Sequence, residues 1–222
     1  MRHIILNLHG VGAPMRHREP GEDRYWIDER FFRNVLAVAQ DFQHACMCTF
    51  TADDGNLSDV QIVAPALCGM GHTAVFFVLT SRMGSPGSLD RIALHDLQQM
   101  GHEIGSHGCS HVFWTGLDTA GLESEIVVPR RYLSEMTGCK IDKAALPFGR
   151  YNRKVLTSLR QAGFTQCYSS DGGEARDQDW PVHRTSLRAD MTLEDVKRIL
   201  LGYEPVTQRI LRNVKGRLKK IF

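Results

Sequence analysis

A chain of 222 residues, 42% hydrophobic and 23% charged, is long enough for one sizeable α/β core and too apolar to stay disordered. A formal net charge of +2 selects neither an anionic nor a neutral partner and supplies no electrostatic footprint for nucleic acid. No run of about 18 apolar residues is present, which excludes a membrane-spanning helix.

The first apolar run, in "MRHIILNLHGVG", extends only from Ile4 to Leu8. That is too short for the apolar region of a signal peptide, so the expected location is cytoplasmic. Further runs in chain order are "ACMCTF", "TAVFFVLT", "HEIGS", "AALPF" and "TQCYSS", each bounded by Gly, Asp or His, as strands are. Helical spacing separates them: Phe31, Phe32, Val35, Leu36 and Ala39; then Leu89, Ile92, Leu97 and Met100; then Val155, Leu156, Leu159 and Ala162 behind a capping Asn152. Thr192 to Asp195 resembles a capping box, and Pro65 and Pro129 predict helices that start late or kink. With no repeat and no linker, the alternation predicts a single α/β domain over 1–222 built on a parallel sheet, open or closed into a barrel. The six cysteines show no C-x-x-C pair; Cys46 and Cys48 share a strand face as packing residues, and Cys109 is expected not to be a ligand.

In parallel barrels, functional groups collect at the C-terminal ends of strands. Four polar clusters fall at such ends: His9, the pair Asp53 and Asp54, the pair His107 and His111, and the turn Pro147-Phe148-Gly149. Two imidazoles and one carboxylate (His107, His111 and Asp54) suit a divalent transition metal with an open position for water. Asp53 is then free to act as a base. Either histidine alone reads equally well as a loop residue, and Asp-Asp-Gly alone as a turn.

"TADDGNLSD" resembles the first motif of the polysaccharide deacetylases (carbohydrate esterase family 4, the NodB-homology domain), and "GHEIGSHGCSH" resembles the second. "GHTAVFFVLT" is similar to the family's strand between them, and "ALPFGRYN" to the third motif, usually Arg-x-Pro-x-Gly. The likeness runs from about His9 to about Phe164. It implies a distorted (β/α) barrel of about seven parallel strands and metal-dependent removal of an N-acetyl group from a sugar. It also implies Asp53 as base, and Asp54, His107 and His111 as ligands of one ion, zinc first, with cobalt, manganese or nickel as alternatives. Pro147 and Gly149 would shape a turn whose Phe148 N–H meets the oxyanion.

Two departures stand out. Ala145 occupies the place of the motif arginine that orients the base, leaving Arg150, near in sequence but on the far side of the turn, as the substitute. The Leu-x-His that supplies the acid is missing from the last forty or so residues, where His183 is the only histidine and reads as structural. Some members of the superfamily resemble circular permutants with that histidine on the first strand, and His9 in "LNLHGVG" fits, with Asn7 on its face and glycines that let a substrate approach. A strand-terminal turn residue is the alternative for His9. Tyr25, Trp26 and Trp114 are candidates for stacking on a sugar or for the core.

The stretch at about 205–222 reads as a basic amphipathic helix, suited either to an anionic membrane surface or to covering the barrel bottom. The substrate implied is an N-acetylated saccharide, free, nucleotide-linked or lipid-linked, in surface-glycan assembly. The competing readings are a deformylase or other amidohydrolase, and an inactive saccharide-binding barrel favoured by the missing arginine.

Overall fold

The computed structural model describes residues 1–176, 178–203 and 219. Along the chain run β1 (Arg2–Leu8), β2 (Gly10–Val11), β3 (Trp26–Ile27), α1 (Glu29–Asp41), β4 (Cys46–Ala52), α2 (Ala64–Gly69), β5 (Ala74–Val78), α3 (Arg91–Gln99) and β6 (Glu103–Ser106). There follow α4 (Thr119–Leu122), α5 (Val128–Thr137), β7 (Lys143–Ala145), α6 (Arg153–Gln161), β8 (Gln166–Ser169), β9 (Val182–His183), β10 (Thr185–Ser186) and α7 (Leu193–Leu201). The main sheet is wholly parallel in the order β10-β1-β4-β5-β6-β7-β8-β9. β9 and β10 are separated by Arg184 alone. Val182 and His183 pair with β8, while Thr185 and Ser186 pair with β1. One short segment thus joins both edges of the sheet, giving the distorted (β/α) barrel expected, without a long exposed edge.

Side-chain alternation divides the core in two. Ile5, Phe77, Ala145, Tyr168 and Val182 form one buried cluster, the apolar filling of the barrel. Ile4, Leu6 and Leu8 belong instead to the larger cluster between sheet and helices, with Phe32, Val35, Leu94 and Leu159. Gly105 of β6 has to be glycine, since a Cβ there would lie 2.5 Å from the Phe77 ring. Four of the expected helices begin at a polar cap: Asp28 for α1, Asp90 for α3, Asn152 for α6, and the Thr192–Asp195 box for α7.

At the two prolines the outcome is finer than a late start or a kink. Pro65 and Pro129 lie in the first turns of α2 and α5, each preceded by a π turn, Asp59–Val63 and Glu123–Val127. A proline offers no N–H of its own, and in both places the residue before it bonds five back: Ala64 N–H donates to Asp59 O, and Val128 N–H to Glu123 O.

Cys46 and Cys48 are buried as expected, and all six cysteines are free, with Cys68 and Cys139 exposed. Among the described residues no helix is long and apolar enough to cross a membrane. The basic stretch 205–222 lies outside the described residues apart from Lys219. Lys219 Nζ donates to Asp171 Oδ1 (2.6 Å) and Gly149 O (3.2 Å), past the C-terminal ends of β8 and β7 and so on the barrel's upper face.

Candidate active site

β1, β4, β6 and β7 deliver the four polar clusters to one end of the barrel. Asp53 N–H continues the β1–β4 ladder by donating to Leu8 O (2.9 Å). The chain then turns through positive φ at Asp54 (79°) and Gly55 (69°). Two adjacent carboxylates consequently meet different partners: Asp53 faces a buried cation and Asp54 faces the histidines. His111 (φ 53°) and Phe148 (φ 56°) share this unfavourable backbone region, so among the described residues the non-glycine residues forced into it all lie at this site.

His107 Nε2 lies 3.6 Å and His111 Nε2 3.7 Å from Asp54 Oδ1. Both rings use their other nitrogen as a donor: His107 Nδ1–H to Ala145 O (3.0 Å), and His111 Nδ1–H to Glu19 Oε2 (2.7 Å). These bonds leave both Nε2 lone pairs facing the carboxylate, the arrangement usual for metal-binding histidines. Glu19, from the loop after β2, is also paired with Arg82. Burial pushes His107 down to about 4, against the pull of Asp53 and Asp54, so the ring is neutral at neutral pH. Burial raises Asp54, but His9, His107 and His111 outweigh it and hold the carboxyl below its ordinary value.

The donor set passes a direct test of fit. Asp54 Oδ1 is buried and accepts no hydrogen bond among the described residues, although it faces two imidazole nitrogens. Such an orphan is costly unless a cation satisfies it. One ligand atom from each of Asp54, His107 and His111 lies within 4.8 Å of the other two, while Cys109 is not in the group.

Asp53 is gripped by a residue that sequence reasoning missed. Arg184, fully buried at the β9–β10 junction, donates from Nη1 to Asp53 Oδ1 (2.7 Å) and from Nη2 to Asp53 Oδ2 (2.9 Å). Its remaining bonds go to Asn7 Oδ1 (2.8 Å), Thr51 Oγ1 (3.1 Å) and Ser169 O (3.2 Å). The guanidinium rests over Phe77 and Tyr168, capping the apolar filling of the barrel. Burial would raise the Asp53 carboxyl, but Arg184 above all, with His107 behind it, holds it well below the usual carboxylate range. The cation at Asp53 is therefore not Arg150, whose guanidinium lies over the Phe113 ring at 4.2 Å. Alternation on the closing strand buries Val182 and Arg184 and turns the half-buried His183 the other way.

His9 Nε2 lies 4.0 Å from Asp53 Oδ2, and among the described residues its buried Nδ1 has no hydrogen-bond partner. Asn7 shares that face, donating to Asp53 Oδ2 at 3.0 Å. Gly10 serves packing and not substrate approach, because Trp26 carbons lie 2.3 Å from where its Cβ would stand. Trp26 and Trp114 are core residues, whereas Tyr25 stacks at a tilt on His9 (4.9 Å). Phe148, 50% exposed, stacks on His111 with ring centroids 4.2 Å apart, and Phe113 packs beside it.

Solved structures share this architecture at low identity. Streptococcus pyogenes deacetylase PplD, determined in complex with acetate, matches with a TM-score of 0.78 and 18% identity over 92% of this chain and 99% of its own. A de-N-acetylase from Aggregatibacter actinomycetemcomitans gives 0.71 and 15% over 90% and 100%, and IcaB from Ammonifex degensii 0.71 and 18% over 91% and 97%. At such identities the likeness establishes the fold. No curated protein matches by sequence. The family model for polysaccharide deacetylase matches residues 43–167, more than half of the chain and inclusive of all three motifs. The chain thus belongs to the polysaccharide deacetylase family and is a sugar N-deacetylase, a hydrolase of amide bonds.

Proposed function

We propose that this single-domain protein hydrolyses the N-acetyl group of a saccharide at a zinc ion held by Asp54, His107 and His111, with Asp53 as base and His9 as acid. The observation that carries the reading is the meeting of two imidazole Nε2 atoms on a buried, otherwise unsatisfied carboxylate oxygen, beside a second carboxylate clamped by Arg184. An ion bound there supplies Lewis acidity to a water molecule and to the amide carbonyl. Asp53, kept ionised by Arg184, accepts the proton that water loses on attack. The turn Pro147-Phe148-Gly149 presents the Phe148 N–H to the developing oxyanion. His9 donates a proton from its ring to the departing amine, and the proton taken by Asp53, whose Oδ2 lies 4.0 Å from His9 Nε2, returns to the ring through solvent. The intact base–arginine pair speaks against an inactive binding barrel, since saccharide binding has no need of a buried, oriented carboxylate.

Zinc content and acyl release on a panel of free, nucleotide-linked and lipid-linked N-acyl sugars test this proposal. Acetate release with about one zinc per chain, and loss of bound zinc in His107→Ala and His111→Ala, is the expected result. Formate release without acetate release would favour the deformylase reading, and wild-type zinc content in both alanine variants would remove the site.

The acid is tested separately. His9→Ala should keep fold and zinc while turnover on the amide falls roughly a hundredfold. The fall should be smaller on an activated acetate ester, whose leaving group needs little protonation. Equal losses on both substrates would make His9 a binding residue instead.

A further inference from the structure

Three residues, Gly108 to Ser110, separate the two histidines, and they are clamped from both sides. From one side, Thr80 N–H donates to Gly108 O (3.1 Å), and Ser81 donates to Cys109 O through both N–H (3.2 Å) and Oγ (2.5 Å). From the other stands the Glu125 carboxylate. Oε2 accepts from Cys109 N–H (3.0 Å), Ser110 N–H (3.1 Å) and Trp114 Nε1–H (3.4 Å), and Oε1 accepts from Ser110 N–H (3.1 Å). The loop lies flat on this support: a Cβ at Gly108 would sit 2.8 Å from the Trp114 ring and 3.0 Å from Glu125 Oε2.

Glu125 is 6% exposed, and among the described residues it has no cationic partner within salt-bridge distance. Burying a carboxylate against neutral donors alone is costly, and a neutral residue of similar shape would fill the space more cheaply. What a neutral residue cannot do is accept from both loop N–H groups at once with charge-assisted bonds. The π turn Glu123–Val127, just ahead of Pro129, carries Glu125. Interruptions of this kind recur at functional sites.

We propose that Glu125 is a positioning residue for the metal site: it fixes the backbone between His107 and His111 so that both Nε2 atoms aim at one point. It touches neither ligand ring and acts through the loop. The proposal rests on the reading of Asp54, His107 and His111 as metal ligands. Glu125→Gln keeps size and removes charge, and its amide would turn an N–H₂ toward a backbone donor. Zinc affinity is measured by competition with a chromogenic chelator, and site geometry by the visible absorption of the cobalt-substituted protein. Far-UV circular dichroism and Tm establish that the variant is folded.

In the folded variant, zinc affinity is expected to fall tenfold or more, with a shifted cobalt spectrum, as for other outer-sphere partners of metal ligands. A purely structural role would lower Tm and leave the affinity of the folded protein where it was. Affinity within twofold of wild type overturns the proposal. Should Glu125→Gln fail to fold, Glu125→Asp, which retains the charge but cannot span both N–H groups, decides in the same way. In that variant a several-fold loss of affinity supports the proposal and an unchanged value overturns it. Asp54→Asn separates the two layers. Undiminished zinc binding there, or none in the wild type, overturns the ligand reading and the proposal with it. Loss in Asp54→Asn with none in the Glu125 variants overturns the positioning role alone.

Discussion

Arg184→Met is expected to destabilise the protein by about 3–5 kcal/mol, because it leaves Asp53 as an uncompensated buried carboxylate. Denaturant unfolding of wild type and variant gives the difference directly. Its pH dependence identifies the cause. In the wild type the folded-state pKa of Asp53 is depressed, so the stability it contributes is present above its unfolded value and lost only as pH falls through the folded one. In the variant burial loses its main opponent and the folded pKa rises. The variant then loses stability as pH climbs above the unfolded value of about 4, and the deficit is widest near neutrality. Unfolding at acidic and at neutral pH should therefore show a smaller deficit at the acidic end. An equal deficit at both would mean that lost packing over Phe77 and Tyr168 accounts for the effect.

Asp53→Asn should retain zinc and lower turnover about a thousandfold, the middle of the range for a removed general base. It also strands Arg184 without its anionic partner, so some stability goes with the activity. Combining Asp53→Asn with Arg184→Met removes both charges, and the double variant should be more stable than the sum of the single losses allows. Near-wild-type turnover in Asp53→Asn would dismiss it as the base. Strict additivity in the cycle would show that the bidentate contact contributes nothing beyond its two separate ends.

Asp53, Asp54, His107 and His111 were legible because each pair is local: spacing along a strand end and the loop after it decides what faces what. The barrel was legible for the same reason, through alternating strands and helices with good caps. Arg184 was not, being 131 residues from its partner and carried by strand segments two residues long. A signal did exist. Once Val182 and His183 are read as a strand, period-two alternation places Arg184 on Val182's inward side, where an arginine needs a carboxylate. Arg150 drew attention through nearness in sequence, which says little about nearness across a barrel. Glu19 and Glu125 escaped because their function is to hold backbone and ring nitrogens, and an acidic residue in a loop or on a helix looks like ordinary surface.

The segment that closes the barrel also holds Asp53, the proposed base, and this gives the enzyme an order of assembly. During synthesis Asp54, His107 and His111 leave the ribosome well before Val182 to Ser186, so a nascent chain carries all three proposed ligands before the segment that joins its two sheet edges has been made. At that stage Asp53 has no Arg184 to hold it ionised and aligned. Closure of the ring by β9 and β10 and completion of the proposed Asp53–Arg184 pair are therefore one event, and hydrolytic competence waits on it.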